Sequence, residues 1–238
     1  MSDVLLLHAG IADRRMWARQ VEALEAAGHR VLAPDLPGFG AAPLAPPTVD
    51  YVAFAAGQLD GPAAVVGCSF GGRIALELAV ARPELVERLV LVGAGLGAWD
   101  WSDAAQAGFA EEEEAIESGD LAAAAAQQAR MWLAADAAPA VRELTEAMTL
   151  RSYEQQLPVE GQVKASWPEP AAETRLGEIG APTLVVVGSE DLGDIHAIAA
   201  RLADGIPGAR SETIDGAGHL PSLERPEELN RLLLDFLQ

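Results

Sequence analysis

Short, nearly continuous apolar blocks recur along the chain at residues 4–7, 30–33, 63–66, 89–92 and 183–187, each bounded by glycine, proline or charged residues. Blocks of this length, rich in Val and Leu and without polar alternation, predict strands buried on both faces. A weaker block, Ser211-Glu212-Thr213-Ile214, predicts a last strand. Amphipathic stretches lie between them. Trp17, Val21 and Leu24 recur at helical spacing before Gly28, a weak helix spans residues 51–59, and Ile74-Ala75-Leu76-Glu77-Leu78-Ala79 runs until Pro83 stops it. Further helices are predicted over 194–203 and, behind Pro226, along the face formed by Leu229, Leu232, Leu233, Phe236 and Leu237. Strands alternating with helices demand a mostly parallel sheet with helices on both faces and functional loops at the carboxyl ends of the strands.

That rhythm breaks between Trp99 and about Pro170. No strand pattern is visible there, and helices are predicted over 103–118, 120–135 and 139–157, separated by Gly119 and Pro139. The expected organisation is a core of residues 1–98 and 171–238 with a helical cap, 99–170, inserted into it. Four of the five tryptophans, Trp99, Trp101, Trp132 and Trp167, fall in the insertion. They are either packing residues or the wall of a substrate pocket. The run from Glu111 to Glu114 reads as a solvated helix face.

Composition narrows the partners. The 238 residues carry a formal charge of −20, and Lys164 is the sole lysine, so nucleic acid and anionic membrane surfaces are poor partners. A single cysteine, Cys68, excludes an intramolecular disulfide and a cysteine metal cluster. No apolar run reaches membrane-spanning length and no signal-peptide pattern follows Met1-Ser2-Asp3, which points to the cytoplasm.

The candidate chemistry lies where the third apolar block meets its helix, at Gly67-Cys68-Ser69-Phe70-Gly71-Gly72. A Gly-x-Ser-x-Gly match arises by chance in a chain of this size on the order of one time in ten, so the strand before it and the helix after it carry the assignment. A nucleophile raised on so tight a turn adopts a strained backbone, and side chains at Gly67 or Gly71 would collide with neighbouring elements. Cys68, beside it, reads as a small buried side chain.

A serine hydroxyl needs a base, and the base needs a group that fixes its tautomer. His219, flanked by Gly216 and Gly218 after the last predicted strand, is the candidate base. Asp191, after the preceding strand, is the candidate acid, with Asp194, Glu190 and Asp100 as other carboxylates in range. His8 reads as a structural loop residue, His29 and His196 as surface positions, and Arg73 as a helix-start packing residue.

These segments together resemble the α/β-hydrolase fold family over essentially the whole chain. His8-Ala9-Gly10 is similar to the family's oxyanion loop, residues 34–40 to the segment after its next strand, and Gly67 to Gly72 to its nucleophile elbow. Gly188-Ser189-Glu190-Asp191 is similar to its acid loop, and Gly216-Ala217-Gly218-His219 to its histidine loop. The resemblance implies acyl transfer with Ser69, Asp191 and His219 as the triad and the backbone N–H groups of Phe70 and of Gly10, or Ile11, as the oxyanion hole. It implies no metal and no cofactor.

Two departures stand out. Ala9 occupies a position where the family usually has glycine. Family members also generally have two strands ahead of the one that begins here at Val4. Without them the strand around Val31 becomes a sheet edge, with a free row of N–H and C=O groups. An intermolecular contact, as in a homo-oligomer, or a local rearrangement is expected to cover it.

The expected activity is hydrolysis of small carboxylic esters or lactones through an acyl-enzyme, in a layout similar to enol-lactonase and esterase members. The same triad also serves a carbon–carbon bond hydrolase or a thioesterase. A non-hydrolytic or binding protein on the same fold is the reading from a different class. A serine at this position argues against a dehalogenase, which needs a carboxylate nucleophile.

Overall fold

Successive residues of each central strand point into opposite layers, and each layer has its own helices. In the computed structural model, which describes residues 3–238, the chain runs β1 (Asp3–Leu7), α1 (Ala18–Ala26), β2 (Arg30–Leu32), β3 (Thr48–Asp50), α2 (Tyr51–Ala56), β4 (Ala63–Cys68), α3 (Phe70–Ala81) and β5 (Val86–Val92). It continues through α4 (Asp103–Glu117), α5 (Leu121–Trp132), α6 (Pro139–Gln156) and β6 (Lys164–Ser166). The last part is β7 (Thr183–Gly188), α7 (Gly193–Gly205), β8 (Arg210–Ile214), α8 (Pro221–Glu224) and α9 (Pro226–Phe236). Met1 and Ser2, at the start of the chain, lie outside the described residues.

The main sheet has the order β2-β1-β4-β5-β7-β8, and every pairing in it is parallel. Leu5, Leu7, Val65, Leu89, Leu91 and Val185 enter one layer, against Ile74 and Leu78 of α3 and Ile198 and Leu202 of α7. Val4, Leu6, Val66, Val90, Val92 and Val186 enter the other, against Leu24 of α1 and Leu229, Leu233 and Phe236 of α9. Burial on both faces is why these blocks are apolar throughout rather than alternating. The chain starts at β1, moves outward to β2, then crosses back to β4 on the other side. The carboxyl ends of β1 and β4 therefore flank a topological switch point, where open parallel sheets form a crevice.

Two local expectations are corrected. The stretch between Trp99 and Pro170 does contain a strand: β6 pairs in parallel with β3, Thr48 opposite Lys164 and Asp50 opposite Ser166. Its three residues are all exposed, so they show no apolar pattern. The helix after β3 stops at Ala56, one residue before Gly57, whose N–H donates to the Ala53 carbonyl. The strand around Val31 lies at the sheet edge as expected. It is only three residues long, and Arg30 pairs there with Asp3 and Asp60.

Candidate active site

β4 ends at Cys68 and α3 begins at Phe70, leaving Ser69 alone to reverse the chain. Its backbone sits at φ 53° and ψ −113°, a region disfavoured for any residue with a side chain. The turn closes only because its neighbours are glycines. A Cβ on Gly67 would run into the Gly71 carbonyl, one on Gly71 into the Leu7 carbonyl, and one on Gly72 would lie 2.6 Å from the Ala94 Cβ. Two main-chain bonds hold the reversal in place. Ser69 N–H donates to Val92 O at 3.0 Å, and Gly95 N–H donates to Ser69 O at 3.0 Å.

The candidate base and acid meet. His219 Nδ1 lies 2.8 Å from Asp191 Oδ2, and each side chain is only 1 % exposed. With Nδ1–H donating to the carboxylate, the imidazole lone pair lies on Nε2, which is buried and has no hydrogen-bond partner. The other oxygen of Asp191 accepts from Leu192 N–H at 2.8 Å. The remaining carboxylates are engaged or exposed. Asp194 accepts from Ser102 Oγ at 2.6 Å, Ser102 N–H at 2.9 Å and Trp99 Nε1 at 3.2 Å, while Glu190 and Asp100 face solvent.

His219 lies beside the serine loop. The Cys68 thiol donates to the His219 carbonyl at 3.6 Å, and burial pushes that thiol well above its ordinary pKa, as expected of an inert packing residue. Gly93, directly after the carbonyl that holds the Ser69 amide, has φ +49°; a Cβ there would lie 3.1 Å from His219 Nδ1 and 3.3 Å from Asp191 Oδ2. Sequence reasoning missed Gly93, since a glycine after a strand is most simply a turn residue.

At the switch point the loop after β1 meets the elbow. A Cβ on Gly10 would lie 3.6 Å from the Phe70 Cβ, and Gly71 N–H donates to His8 O at 3.1 Å. Among the described residues, the N–H groups of Gly10 and Phe70 have no hydrogen-bond acceptor. They are two free donors at neighbouring positions, as an oxyanion site requires. His8 is structural: fully buried, it places Nδ1 2.9 Å from Ala9 O and accepts Leu36 N–H at Nε2, also at 2.9 Å. Burial lowers its pKa and keeps it neutral.

The four tryptophans separate into different surroundings. Trp132 lies over His219, with ring centroids 4.2 Å apart, and Trp101 packs edge-on behind it. Trp167 sits edge-on to Phe70 at 6.0 Å, with the Arg73 guanidinium 3.7 Å above its ring. Trp99 instead donates to Asp194, which makes it a tether between the insertion and α7. Arg73 is a packing residue as expected, and desolvation lowers its pKa.

A cleft of about 670 Å³, lined by Ser102, Gly108, Met131 and Asp194 among others, lies where the insertion meets α7, away from Ser69. A smaller one, about 330 Å³, has Leu44, Val49, Tyr51, Leu157 and Val163 in its wall, and Tyr51 packs edge-on against Phe70 at 4.9 Å. No group of three or more His, Cys, Asp or Glu among the described residues is arranged to hold a metal ion. Among the described residues, no helix is long and apolar enough to cross a membrane.

Comparison with known proteins agrees with this architecture. The chain belongs to the alpha/beta hydrolase family, whose model matches residues 4–232. It is 30% identical over 257 residues to a 2-hydroxy-6-oxononadienedioate/2-hydroxy-6-oxononatrienedioate hydrolase of Cupriavidus pinatubonensis, covering 98% of this chain and 86% of the relative. It is also 30% identical over 257 residues to a pimeloyl-[acyl-carrier protein] methyl ester esterase of Aromatoleum aromaticum, covering 99% and 98%. Among solved structures, a thermophilic esterase from Thermogutta terrifontis superposes with a TM-score of 0.81 at 25% identity, covering 100% of this chain and 89% of the esterase.

Proposed function

We propose that the protein is a serine hydrolase of small carboxylic esters or lactones, with Ser69 as nucleophile, His219 as base and Asp191 as its orienting acid. The observation that carries this reading is the buried His219–Asp191 pair at 2.8 Å, with Nε2 unpartnered, beside a serine on a strained, glycine-relieved turn.

The chemistry follows from these positions. Ser69 Oγ attacks the substrate carbonyl as His219 Nε2 takes the hydroxyl proton, and Asp191 stabilises the resulting imidazolium. The negative charge that develops on the carbonyl oxygen is met by Phe70 and Gly10 N–H, each donor worth roughly 3–4 kcal/mol in comparable sites. His219 returns the proton to the leaving alcohol, and a water deprotonated by His219 then releases the acid. In a lactone the alcohol stays attached to the acyl group, and the steps are otherwise the same.

Residues 99–170 form the cap in this reading. Trp132 and Trp167, beside the base and the nucleophile's neighbour, belong to the substrate wall. The cavity of about 330 Å³ beside Tyr51, whose wall is mostly aliphatic but includes Tyr153, Gln156 and Glu160, supports a small acyl or alkyl group. One relative favours a second reading, since the substrate in its printed name carries a ketone and two carboxylates and no ester. Hydrolysis of such a compound by the same three residues would cleave a carbon–carbon bond. The single free thiol fits a reducing, cytoplasmic setting. A second copy pairing with the free edge of β2 is also part of this proposal. Sedimentation over a concentration series tests it, and a monomer throughout would remove it.

The decisive experiment is hydrolysis of short p-nitrophenyl esters, lactones and a diketone by wild type and Ser69→Ala. Ester or lactone turnover abolished by Ser69→Ala is expected. Turnover of the diketone alone selects the second reading, and activity surviving in Ser69→Ala removes Ser69 as nucleophile.

A further inference from the structure

His219 is the residue in this site that must hold its position while its proton comes and goes, and its loop is gripped by a side chain outside the triad. Glu224, on α8, is 8 % exposed, yet its carboxylate makes three bonds to main-chain donors. Oε2 accepts Gly218 N–H at 3.0 Å and Ala134 N–H at 2.8 Å, and Oε1 accepts Leu220 N–H at 3.0 Å. Two of these donors bracket His219 in sequence. The third belongs to the cap, just after α5. His219's own N–H donates to Trp132 O at 2.8 Å, in the same cap segment.

All three successive amides of the base loop are thus fixed, two by one carboxylate and one by the end of α5, whose following residues the same carboxylate holds. Space is as restricted as the bonding. A Cβ on Gly218 would lie 2.5 Å from Ala134 N and 2.8 Å from Trp132 O, so cap and base loop are in direct contact.

We infer that Glu224 is a positioning residue: it sets the base His219 through Gly218 and Leu220 and locks that loop to the cap through Ala134. The inference rests on the reading of His219 as base. Buried, charge-assisted bonds of this kind are shorter and stronger than neutral ones, and a neutral replacement cannot reproduce all three. In Glu224→Gln one of the two terminal atoms becomes an NH2 donor facing a backbone N–H, so at least one amide of the trio loses its acceptor.

Asp194 provides the comparison. It is likewise a carboxylate with three bonds from the cap, to Trp99 and Ser102, but it does not bracket His219. Loss of cap anchoring alone is measured by Asp194→Asn, and loss of anchoring plus base placement by Glu224→Gln.

The test is the rate at which a fluorophosphonate labels Ser69, followed across pH, because this reaction needs an activated serine but no knowledge of the substrate. Failure to label wild-type Ser69 would overturn the reading of the triad itself. With the wild type labelled, Glu224→Gln is expected to lower the plateau reached at high pH at least tenfold. Glu224→Asp should recover part of that loss, and Asp194→Asn should stay within about threefold of wild type. Labelling of Glu224→Gln at the wild-type rate, with only a lowered melting temperature, would overturn the positioning role while leaving the triad intact. Should Glu224→Gln fail to fold, Glu224→Asp carries the same two outcomes, since it keeps the charge but falls one methylene short.

Discussion

Trp132 holds His219 in two ways: its carbonyl accepts the His219 N–H at 2.8 Å, and its indole lies 4.2 Å from the imidazole at 33°. The indole N–H is itself fixed, donating to Gln128 Oε1 at 2.8 Å. Removing the imidazole stacked on this indole, in His219→Gln, is expected to change the tryptophan emission of the wild type but not that of Trp132→Phe. Trp132→Ala, which empties a buried aromatic site, should cost about 3–5 kcal/mol in denaturant unfolding. An equal change in both backgrounds would show that the signal comes from another tryptophan.

Gly93 gives a sharper probe of geometry, because it touches the His219–Asp191 pair and nothing in the proposed chemistry uses it. Gly93→Ala must tolerate φ +49° and push a methyl to 3.1 Å from His219 Nδ1. The strain of that backbone is about 1–2 kcal/mol, small enough for a domain of this size to fold. The expected result is a folded protein whose kcat drops tenfold or more while KM moves little. Stopped-assay kinetics with a p-nitrophenyl ester and circular dichroism check both halves.

The elbow glycines separate steric need from mere tolerance. Gly71→Ala would drive its Cβ into the Leu7 carbonyl, whereas Gly10→Ala would reach ordinary contact, 3.6 Å from the Phe70 Cβ. Gly71→Ala is expected to be insoluble or to lose several kcal/mol of stability. Gly10→Ala should fold and keep the backbone donor, with activity within a few fold of wild type. Soluble yield and urea midpoints of the two variants settle the contrast.

This difference also explains what was legible in the sequence. The Gly67 constraint could be read because it is local, a Cβ there meeting Gly71 within the same strand–serine–helix turn, whereas the partner of Gly71 is the Leu7 carbonyl of a distant strand and only the motif pointed to it. Choosing Asp191 over Asp194 could not be completed that way. Both follow β7 within six residues, and only the tertiary structure separates them: Ser102 and Trp99, from a distant segment, occupy Asp194, while Asp191 meets His219. β3 and β6 escaped because strands of three residues are too short to show a period, and of the six only Val49 is buried. Glu224 was hidden in plain view, since an acid in the first turn of a helix after Pro221 is already explained by the helix dipole. The four tryptophans could be placed in the insertion, but which of them faces His219 depends on how α5 packs.

A buried carboxyl on the helix that follows Ser69 makes stability depend on pH. Glu77, on α3, is 2 % exposed and accepts Ala172 N–H at 3.1 Å, fixing the chain where it returns from the cap. Burial raises its pKa above the ordinary 4.5, with Glu173 and Glu169 adding to the shift and the Ala172 N–H and Arg73 opposing it. A carboxyl with a raised folded pKa binds its proton more tightly when folded, so its contribution is most favourable at low pH. It is lost as pH rises from about 4.5 through the raised value. Glu77→Gln keeps an oxygen for Ala172 N–H and removes the ionisation. The wild type is expected to lose stability relative to Glu77→Gln across that window, so that the variant gains on the wild type as pH rises toward 7. Urea unfolding of both proteins at closely spaced pH values gives the difference directly, and a difference independent of pH would show that Glu77 ionises in the folded protein as it does in the unfolded chain.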